Sequence, residues 1–453
     1  MYRKQISYIE DWFYRSTRKP LIIRGARQVG KTTAVELAAK ALGVQLISIN
    51  MEDAQSFVSS LPSNDPKSVF EIISMSRGAF SLDPDKTIFF FDEAQECPAV
   101  IPFLRYCYER APEFRVILTG SLLEFVLNAP EFSFPVGRVE FLFMGPMTFD
   151  EFLRGVGHEP LAEKLLESDF NHPISRAIHS LATEQLNKYV VIGGMPEAVR
   201  TYRDTESWIE VARINESILE TYRSDFGKYY RNADPVLIQK IFRSIPLSIP
   251  NKTVYSKLAE GVRGEQTKKA LEALEMARVV TRCYHSSGNG IPLASEQKDN
   301  HFKTLFLDVG LTLRAMGLNI GSLSEDLNDV ARGAIAEQLI GQHLLDDREM
   351  FQTPRVFYWD RQKSGTSSEI DYLTVYKDQV IPVEVKSGSA GSMKSLQMFI
   401  KLKKEKPEIA LRFLSNFPEN KTVVETETGH CYQLISLPHY LVEHWRRYVE
   451  SIH

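Results

Sequence analysis

Apolar residues fall in two rhythms along this chain. The first is the short unbroken run: Leu21 to Ile23, Thr87 to Phe91 and Val116 to Leu118, with "VQLISINMED" read as a further core strand. Runs of that length suit parallel strands buried on both faces. The second is helical spacing, first in the Ala-rich stretch Thr33 to Leu42. Strands alternating with helices predict an α/β domain with a parallel sheet over residues 1–147. Residues 148–235 read as helical: a helix, a Gly193-Gly194 break, a Pro-started helix, then "SWIEVARINESILETYRSDFGKYY" as a longer amphipathic helix. Residues 236–299 predict a winged helix-turn-helix. Tyr255 to Glu260 is the short helix, Gly261 to Gly264 the turn and Glu265 to Ala277 the second helix. Val279 to Tyr284, the Gly288-Asn289-Gly290 turn and Ile291-Pro292 make the wing. Residues 300–453 read as a second α/β domain. It has a helix in "RGAIAEQLIGQHLL", a strand in "RVFYWD", strands over Glu369 to Val375 and Val380 to Lys386, and a helix in "SMKSLQMFIKLKK".

Composition narrows the classes. The chain has 453 residues, 43% hydrophobic and 25% charged, an ordinary globular balance with room for two to four domains. Its net charge of -4 leaves no global basic field, so any nucleic-acid contact needs a local patch. Val236 to Asn300 offers one: ten Lys/Arg against six Asp/Glu, a balance of 10 − 6 = +4, with Lys268 and Lys269 opening the second helix. Used only for packing, the same element would need no such charge. Cys97, Cys107, Cys283 and Cys431 show no C-x-x-C pair and no zinc spacing, which predicts a reduced, cytoplasmic protein. The start "MYRKQISYIEDWFYRS" is too charged for a signal peptide. No run of about 18 apolar residues predicts a membrane span.

The chemistry concentrates first in "PLIIRGARQVGKTTAVELAAKAL". Gly25, Ala26, Arg27, Gln28, Val29, Gly30, Lys31 and Thr32 fit G-x-x-x-x-G-K-[ST] in full, between a strand and a helix, and Thr33 continues the loop into that helix. The two glycines let the backbone turn its N–H groups toward a phosphate. The helix N-terminus adds positive potential. Lys31 is expected on the β- and γ-phosphates of ATP and Thr32 on Mg²⁺. In "KTIFFFDEAQECP", Asp92 ends an apolar strand where it can hold the Mg²⁺ shell, and Glu93 is placed to activate a water. A solvated acidic pair is the blander reading.

"FRVILTGSLLEF" ends a third strand on Thr119 and Ser121. Ser121 is favoured as the group that senses the γ-phosphate, with Thr119 next; a helix-capping Ser reads the same way. Arg138 is either a finger for a neighbouring subunit's nucleotide or a surface charge. The "DFG" at Asp225 to Gly227 has no kinase context.

"RGARQVGKTT", "FFFDEAQECP", "LTGS", "GRV", "GGMPEAV", "LFLDVGL" and "EIDY…VEVKSG" occur in that order. In this the chain resembles the prokaryotic AAA-type ATPases whose C-terminal domain of unknown function is similar to restriction-endonuclease-like folds. The resemblance covers nearly the full length. It implies an AAA+ ATPase domain, a helical lid, a winged helix and a nuclease-like tail. It departs at "GPMTFDEF", where the family usually has a Pro-Leu-Ser segment.

The nuclease signature is D…[DE]-x-K, and here Asp371 precedes Glu384-Val385-Lys386 by a hairpin. Strand side chains alternate, so Glu384 and Lys386 share one face and Val383 and Val385 the other. Asp371 on the neighbouring strand is expected to meet Glu384, the two binding Mg²⁺ through oxygen, with Glu337 adding a ligand or a hydrogen bond. Lys386 would then orient the attacking water. The rival reading is a structural cluster in which Lys386 pairs with Asp371 or Glu384.

The sequence therefore predicts an AAA+ ATPase using ATP and Mg²⁺ to engage nucleic acid, with a metal-dependent nuclease tail and assembly into a homo-oligomer. The alternative is an ATP-controlled switch or assembly protein whose winged helix and tail only bind partners. A helicase, prompted by "DEAQ", would need a second RecA-like domain that residues 300–453 do not supply.

Overall fold

Five strands build the first sheet: β1 (Leu21–Arg24), β2 (Gln45–Asn50), β3 (Thr87–Asp92), β4 (Arg115–Thr119) and β5 (Glu140–Phe143), in the order β2-β3-β4-β1-β5. The computed structural model describes residues 1–453 except 55–63, 77, 79–81, 128–134, 230–232, 319–328, 364–365, 389–392, 425–428 and 453. Tyr230, expected to end a helix, lies outside the described residues. All pairings in this sheet are parallel. Parallel neighbours need crossovers, and helices supply them, beginning with Lys31–Leu42 between β1 and β2. Leu21, Ile22 and Ile23 are fully buried, as are Ile88 to Phe91. All strands run the same way, so the carboxyl ends of β1, β3 and β4 share one edge, where open α/β sheets bind ligands.

Two elements differ from expectation. "VQLISINMED" is an edge strand, with Ile47 and Ile49 buried and Gln45, Ser48 and Asn50 exposed. The strand β5 was not foreseen; it is only four residues long, and its burial, two half-buried then two buried residues, shows no period-2 alternation.

The chain divides into two compact units. The first is Met1–Gly145 with two short returns, Met276–Arg278 and Glu349–Thr353. The second holds the rest. It contains the expected helices over 148–235, and Asp225 to Gly227 lies inside the helix Trp208–Tyr229. At the departing "GPMTFDEF", Thr148 caps the helix Phe149–Gly155: its hydroxyl accepts from Glu151 N–H, and the Glu151 carboxylate accepts from Thr148 N–H at 3.1 Å. Thr therefore does at this position what a capping Ser would do.

Eight strands form the second sheet: β6 (Val280–Ser286), β7 (Gln297–Phe306), β8 (Val356–Lys363), β9 (Thr366–Tyr376), β10 (Gln379–Val385), β11 (Ile409–Leu414), β12 (Glu419–Val424) and β13 (Cys431–Pro438). Their order is β12-β13-β11-β10-β9-β8-β6-β7. The helices Tyr255–Leu258 and Gly264–Met276 precede the β6–β7 hairpin, the order read from the sequence, and a further helix, Pro235–Ser248, comes before them. That hairpin does not stand free, because β6 pairs in parallel with β8. The boundary expected at 299/300 falls inside β7, so the wing strands and the tail share one sheet. No helix among the described residues is long and apolar enough to cross a membrane.

A buried carboxylate joins two of the sequence motifs. Asp308 of "LFLDVGL" is fully buried and caps the helix Val309–Ala315, accepting from Leu311 N–H at 3.0 Å. Its other oxygen accepts from Gly194 N–H of "GGMPEAV" at 2.6 Å. Burial pushes its carboxyl up to about 6 against the pull of these amides. Gly193 ends the helix Arg176–Ile192 at φ 80, and a Cβ there would collide with the Asp308 carboxylate. Gly193→Ala should therefore destabilise the fold by at least about 2 kcal/mol, through left-handed strain and overpacking. Chemical denaturation checks this; an unchanged midpoint would contradict it.

Candidate functional site

The phosphate loop starts where β1 ends. Gly30 takes φ 92, which an L side chain resists. Gly25 is needed for a different reason from the turn expected: a Cβ there would strike Met144 O, just beyond β5. Arg3 holds the loop from outside, donating to Val29 O at 2.8 Å and to Gly145 O at 2.7 Å.

Lys31 is buried, and its ammonium donates to Gly25 O at 3.0 Å and Ala26 O at 2.8 Å. Burial lowers it to about 8; Glu93 and Asp92 hold it up, while Arg27 and Arg278 push it further down. The Thr32 hydroxyl donates to Asp92 Oδ2 at 2.7 Å. The other Asp92 oxygen accepts from Thr119 Oγ1 and from Glu93 N–H. The two expected Mg²⁺ ligands, Thr32 and Asp92, thus stand side by side at the sheet edge.

Glu93 sits at φ 51, in the left-handed region, and its carboxylate leans toward β4. Its Oε2 accepts from Gln95 Nε2 at 2.6 Å and from Ser121 Oγ at 3.0 Å. Burial pushes the Glu93 carboxyl up, but these bonds and Lys31 outweigh it and leave it below the usual range. Thr119 and Ser121 therefore divide the polar tip of β4 between Asp92 and Glu93. Gln95 was missed as a site residue, although "DEAQ" displayed it. Arg138 is partly exposed and holds Glu109 at 3.0 Å, as a surface charge does.

In the tail, β9 and β10 pair antiparallel up to Tyr372 opposite Val383, one residue short of Asp371 and Glu384. Lys386 Nζ donates to Glu384 Oε1 at 2.5 Å. Asp371 Oδ2 accepts from Val385 N–H at 2.7 Å. Glu337, expected as a metal ligand, is instead 3.2 Å from the ammonium of Lys303, a buried lysine of β7. Lys303 also pairs with Glu369. Burial opposes its charge, but Glu337, Glu369 and Asp371 outweigh that and raise it well above the ordinary lysine value. Neither Lys303 nor Glu369 was foreseen. The first lies some 70 residues from the hairpin, and nothing local marks it. Behind the cluster, Lys386 N–H donates to Phe413 O at 2.8 Å, and Lys386 O lies 2.9 Å from His439 Nε2. Among the described residues, no group of three or more His, Cys, Asp or Glu is arranged to hold a metal ion.

Family profiles match three stretches of the chain. Residues 17–153 match the AAA domain, 183–322 a domain of unknown function (DUF8612) and 332–440 a domain of unknown function (DUF4143). Residues 17–153 with the parallel sheet thus form a P-loop AAA-type domain of the α/β class. No curated protein matches the chain. Among solved structures, the RuvB Holliday junction branch migration motor of Thermotoga maritima is 15% identical with a TM-score of 0.31, over 62% of this chain and 90% of that one. The Aeropyrum pernix ORC2 protein, in ADPNP–ADP complexes, is 12% identical with a TM-score of 0.36, over 71% and 94%. Likenesses this loose do not fix a fold.

Only a protonated Lys31 can hold a phosphate, and the free protein gives up that proton above about pH 8. Nucleotide affinity should hold below pH 8 and fall as pH rises to 9 and beyond. Lys31→Arg, charged throughout, should flatten the profile. Titration with a fluorescent ATP analogue across this range measures it; a wild-type affinity that is flat from pH 7 to 9.5 contradicts the assignment.

Proposed function

We propose that the first unit is an ATP hydrolase. The Thr32–Asp92 hydrogen bond carries this reading, because it brings the two magnesium-binding oxygens together beside a buried ammonium. Gly25 to Thr33 cradle the phosphates with backbone N–H groups, and Lys31 leaves its loop carbonyls for the β- and γ-phosphates. Mg²⁺, when bound by Thr32 and Asp92, neutralises phosphate charge. Glu93 orients a water, whose oxygen attacks the γ-phosphorus. The bond to the bridging oxygen breaks, the electron pair leaves on ADP, and Glu93 takes the water's proton. Ser121 holds Glu93 and lies next to the reacting phosphate. Arg138 is proposed to reach a neighbouring subunit's nucleotide in a homo-oligomer. Lys31→Ala should abolish turnover and weaken ATP binding, and Glu93→Gln should bind ATP yet turn it over at least about 100-fold more slowly. Phosphate release and nucleotide retention are the measurements. Wild-type hydrolysis in the Lys31→Ala protein would sink the assignment.

The tail is proposed as the nuclease-like partner of this motor. Four carboxylates, Glu337, Glu369, Asp371 and Glu384, face two ammoniums, Lys303 and Lys386. Burial and mutual repulsion raise Glu337, Asp371 and Glu384. Glu384 Oε2 is buried with no hydrogen-bond partner among the described residues. Such a cluster fits one divalent cation, held by Asp371 and Glu384 with water completing the shell, as Mg²⁺ prefers. When bound, the cation would polarise a phosphodiester; Lys386 would hold a water or a phosphate oxygen, and His439 fixes the Lys386 backbone.

The alternative reading, an ATP-controlled switch that cuts nothing, draws on the helix Gly264–Met276. Its exposed lysines already face glutamates of the same helix: Lys269 to Glu265 at 3.2 Å and Lys268 to Glu272 at 3.9 Å. That weakens the +4 patch as a DNA-binding surface. One assay separates the two readings. Purified protein with Mg²⁺ or Mn²⁺ should cut single-stranded, double-stranded or branched DNA, and Asp371→Ala should abolish the cutting. Intact DNA in all three forms, with a nucleotide-dependent change in oligomeric state, supports the switch.

A further inference from the structure

Lys303 belongs to β7, the second strand of the hairpin read from the sequence as a wing. Its ammonium lies over the ring of Tyr358 in β8, 5.3 Å from the ring centre. It ends between two carboxylates. Glu337 Oε2, from the helix Asp329–Asp346, is 3.2 Å away, and Glu369 of β9 pairs with it from the other side. The Lys303 side chain is 4% exposed, that of Glu337 14% and that of Glu369 35%. A lysine this dry keeps its charge only when carboxylates match it, and here there are two. Its charge also acts on Asp371 and Glu384.

The acidic cluster thus has two halves, each with a pair of carboxylates. Lys303 stands in the half made by Glu337 and Glu369. Asp371 and Glu384 make the other half. There Lys386 Nζ holds Glu384 Oε1 at 2.5 Å, while Glu384 Oε2 is buried with no hydrogen-bond partner among the described residues. The charges follow the same division. Four carboxylates against two ammoniums leave 4 − 2 = 2 negative charges. Asp360, which acts on Tyr358 together with Glu369, is paired with Lys252, and burial lowers His285 beside it, so neither alters the count. One divalent cation cancels the excess. A second would leave positive charge unmatched.

We propose that Lys303 is a tethered cation of the tail site. Its ammonium fills the Glu337–Glu369 half, where a second metal ion would sit in a two-metal phosphodiester site, and limits the tail to one divalent cation on Asp371 and Glu384. With the ammonium removed, Glu337 and Glu369 offer two oxygen ligands, and the partial exposure of Glu369 lets water complete a cation's shell. The hairpin that reads as a wing therefore supplies one of the tail's own cations.

The limit to one cation rests on the metal-binding reading of Asp371 and Glu384, and the test keeps the two apart. Equilibrium dialysis, carried to saturation, counts Mn²⁺ bound per full-length chain for wild type, Lys303→Met, Lys303→Arg and Asp371→Asn. Sites outside the tail are common to all four and cancel in the differences. Lys303→Met should bind one Mn²⁺ more than wild type. Lys303→Arg, which keeps the charge, should bind no more than wild type. Asp371→Asn should bind one fewer. Equal counts for wild type and Lys303→Met overturn the tethered cation, whatever Asp371→Asn does. Equal counts for wild type and Asp371→Asn overturn the metal-binding reading instead, and a Mn²⁺ gained by Lys303→Met still upholds Lys303 as the occupant of its half. If Lys303→Met is unfolded in metal-free buffer, recovery of the wild-type circular dichroism spectrum with Mn²⁺, but not with NaCl at equal ionic strength, is the same positive result. No recovery with Mn²⁺ overturns the proposal.

Discussion

The 2.7 Å hydrogen bond from Thr32 Oγ1 to Asp92 Oδ2 is the constraint on which the nucleotide domain depends. It exists only because β1 and β3 run parallel with β4 between them and end at one edge. The loop after β1 then delivers a hydroxyl to the carboxylate that ends β3. The rest of the edge follows from filling valences there. Asp92's second oxygen takes Thr119; Glu93, one residue on, takes Ser121 and Gln95; Lys31 takes two loop carbonyls. Each of these bonds is one that a phosphate, a cation or a water can replace, while Gln95 Oε1 is buried with no hydrogen-bond partner among the described residues.

Buried charge is handled differently in the second unit. Asp308 is satisfied by backbone amides and needs no cation, which ties "GGMPEAV" to "LFLDVGL" as one structural joint. The acidic cluster of β9 and β10 is satisfied by two lysines and still carries more carboxylates than ammoniums. In the first, both carboxylate oxygens accept from backbone amides. In the second, Glu384 Oε2 has no hydrogen-bond partner among the described residues.

What the sequence made legible is what local chemistry dictates. The loop from Gly25 to Thr33, Asp92 and Glu93 after four apolar residues, and the alternation that puts Glu384 and Lys386 on one face each follow from spacing within a few residues. The missing pieces come from register between distant strands. Gly25 looked like a turn glycine, and only the neighbouring β5 shows that Met144 leaves no room for a Cβ. Lys303 drew no reading, because only β7 and the helix Asp329–Asp346 bring it to Glu337. The boundary expected at 299/300 failed because β7 is continuous through it, and a hairpin that reads as a wing can equally be the end of a larger sheet.

The most direct test of the central claim is a structure of the full chain with Mg²⁺ and a non-hydrolysable ATP analogue. The account predicts phosphates along Gly25 to Thr33, Mg²⁺ on the oxygens of Thr32 and Asp92, and the Lys31 ammonium moved from its loop carbonyls to the β- and γ-phosphates. A nucleotide bound elsewhere, or Lys31 still on Gly25 O and Ala26 O with the analogue in place, would contradict it.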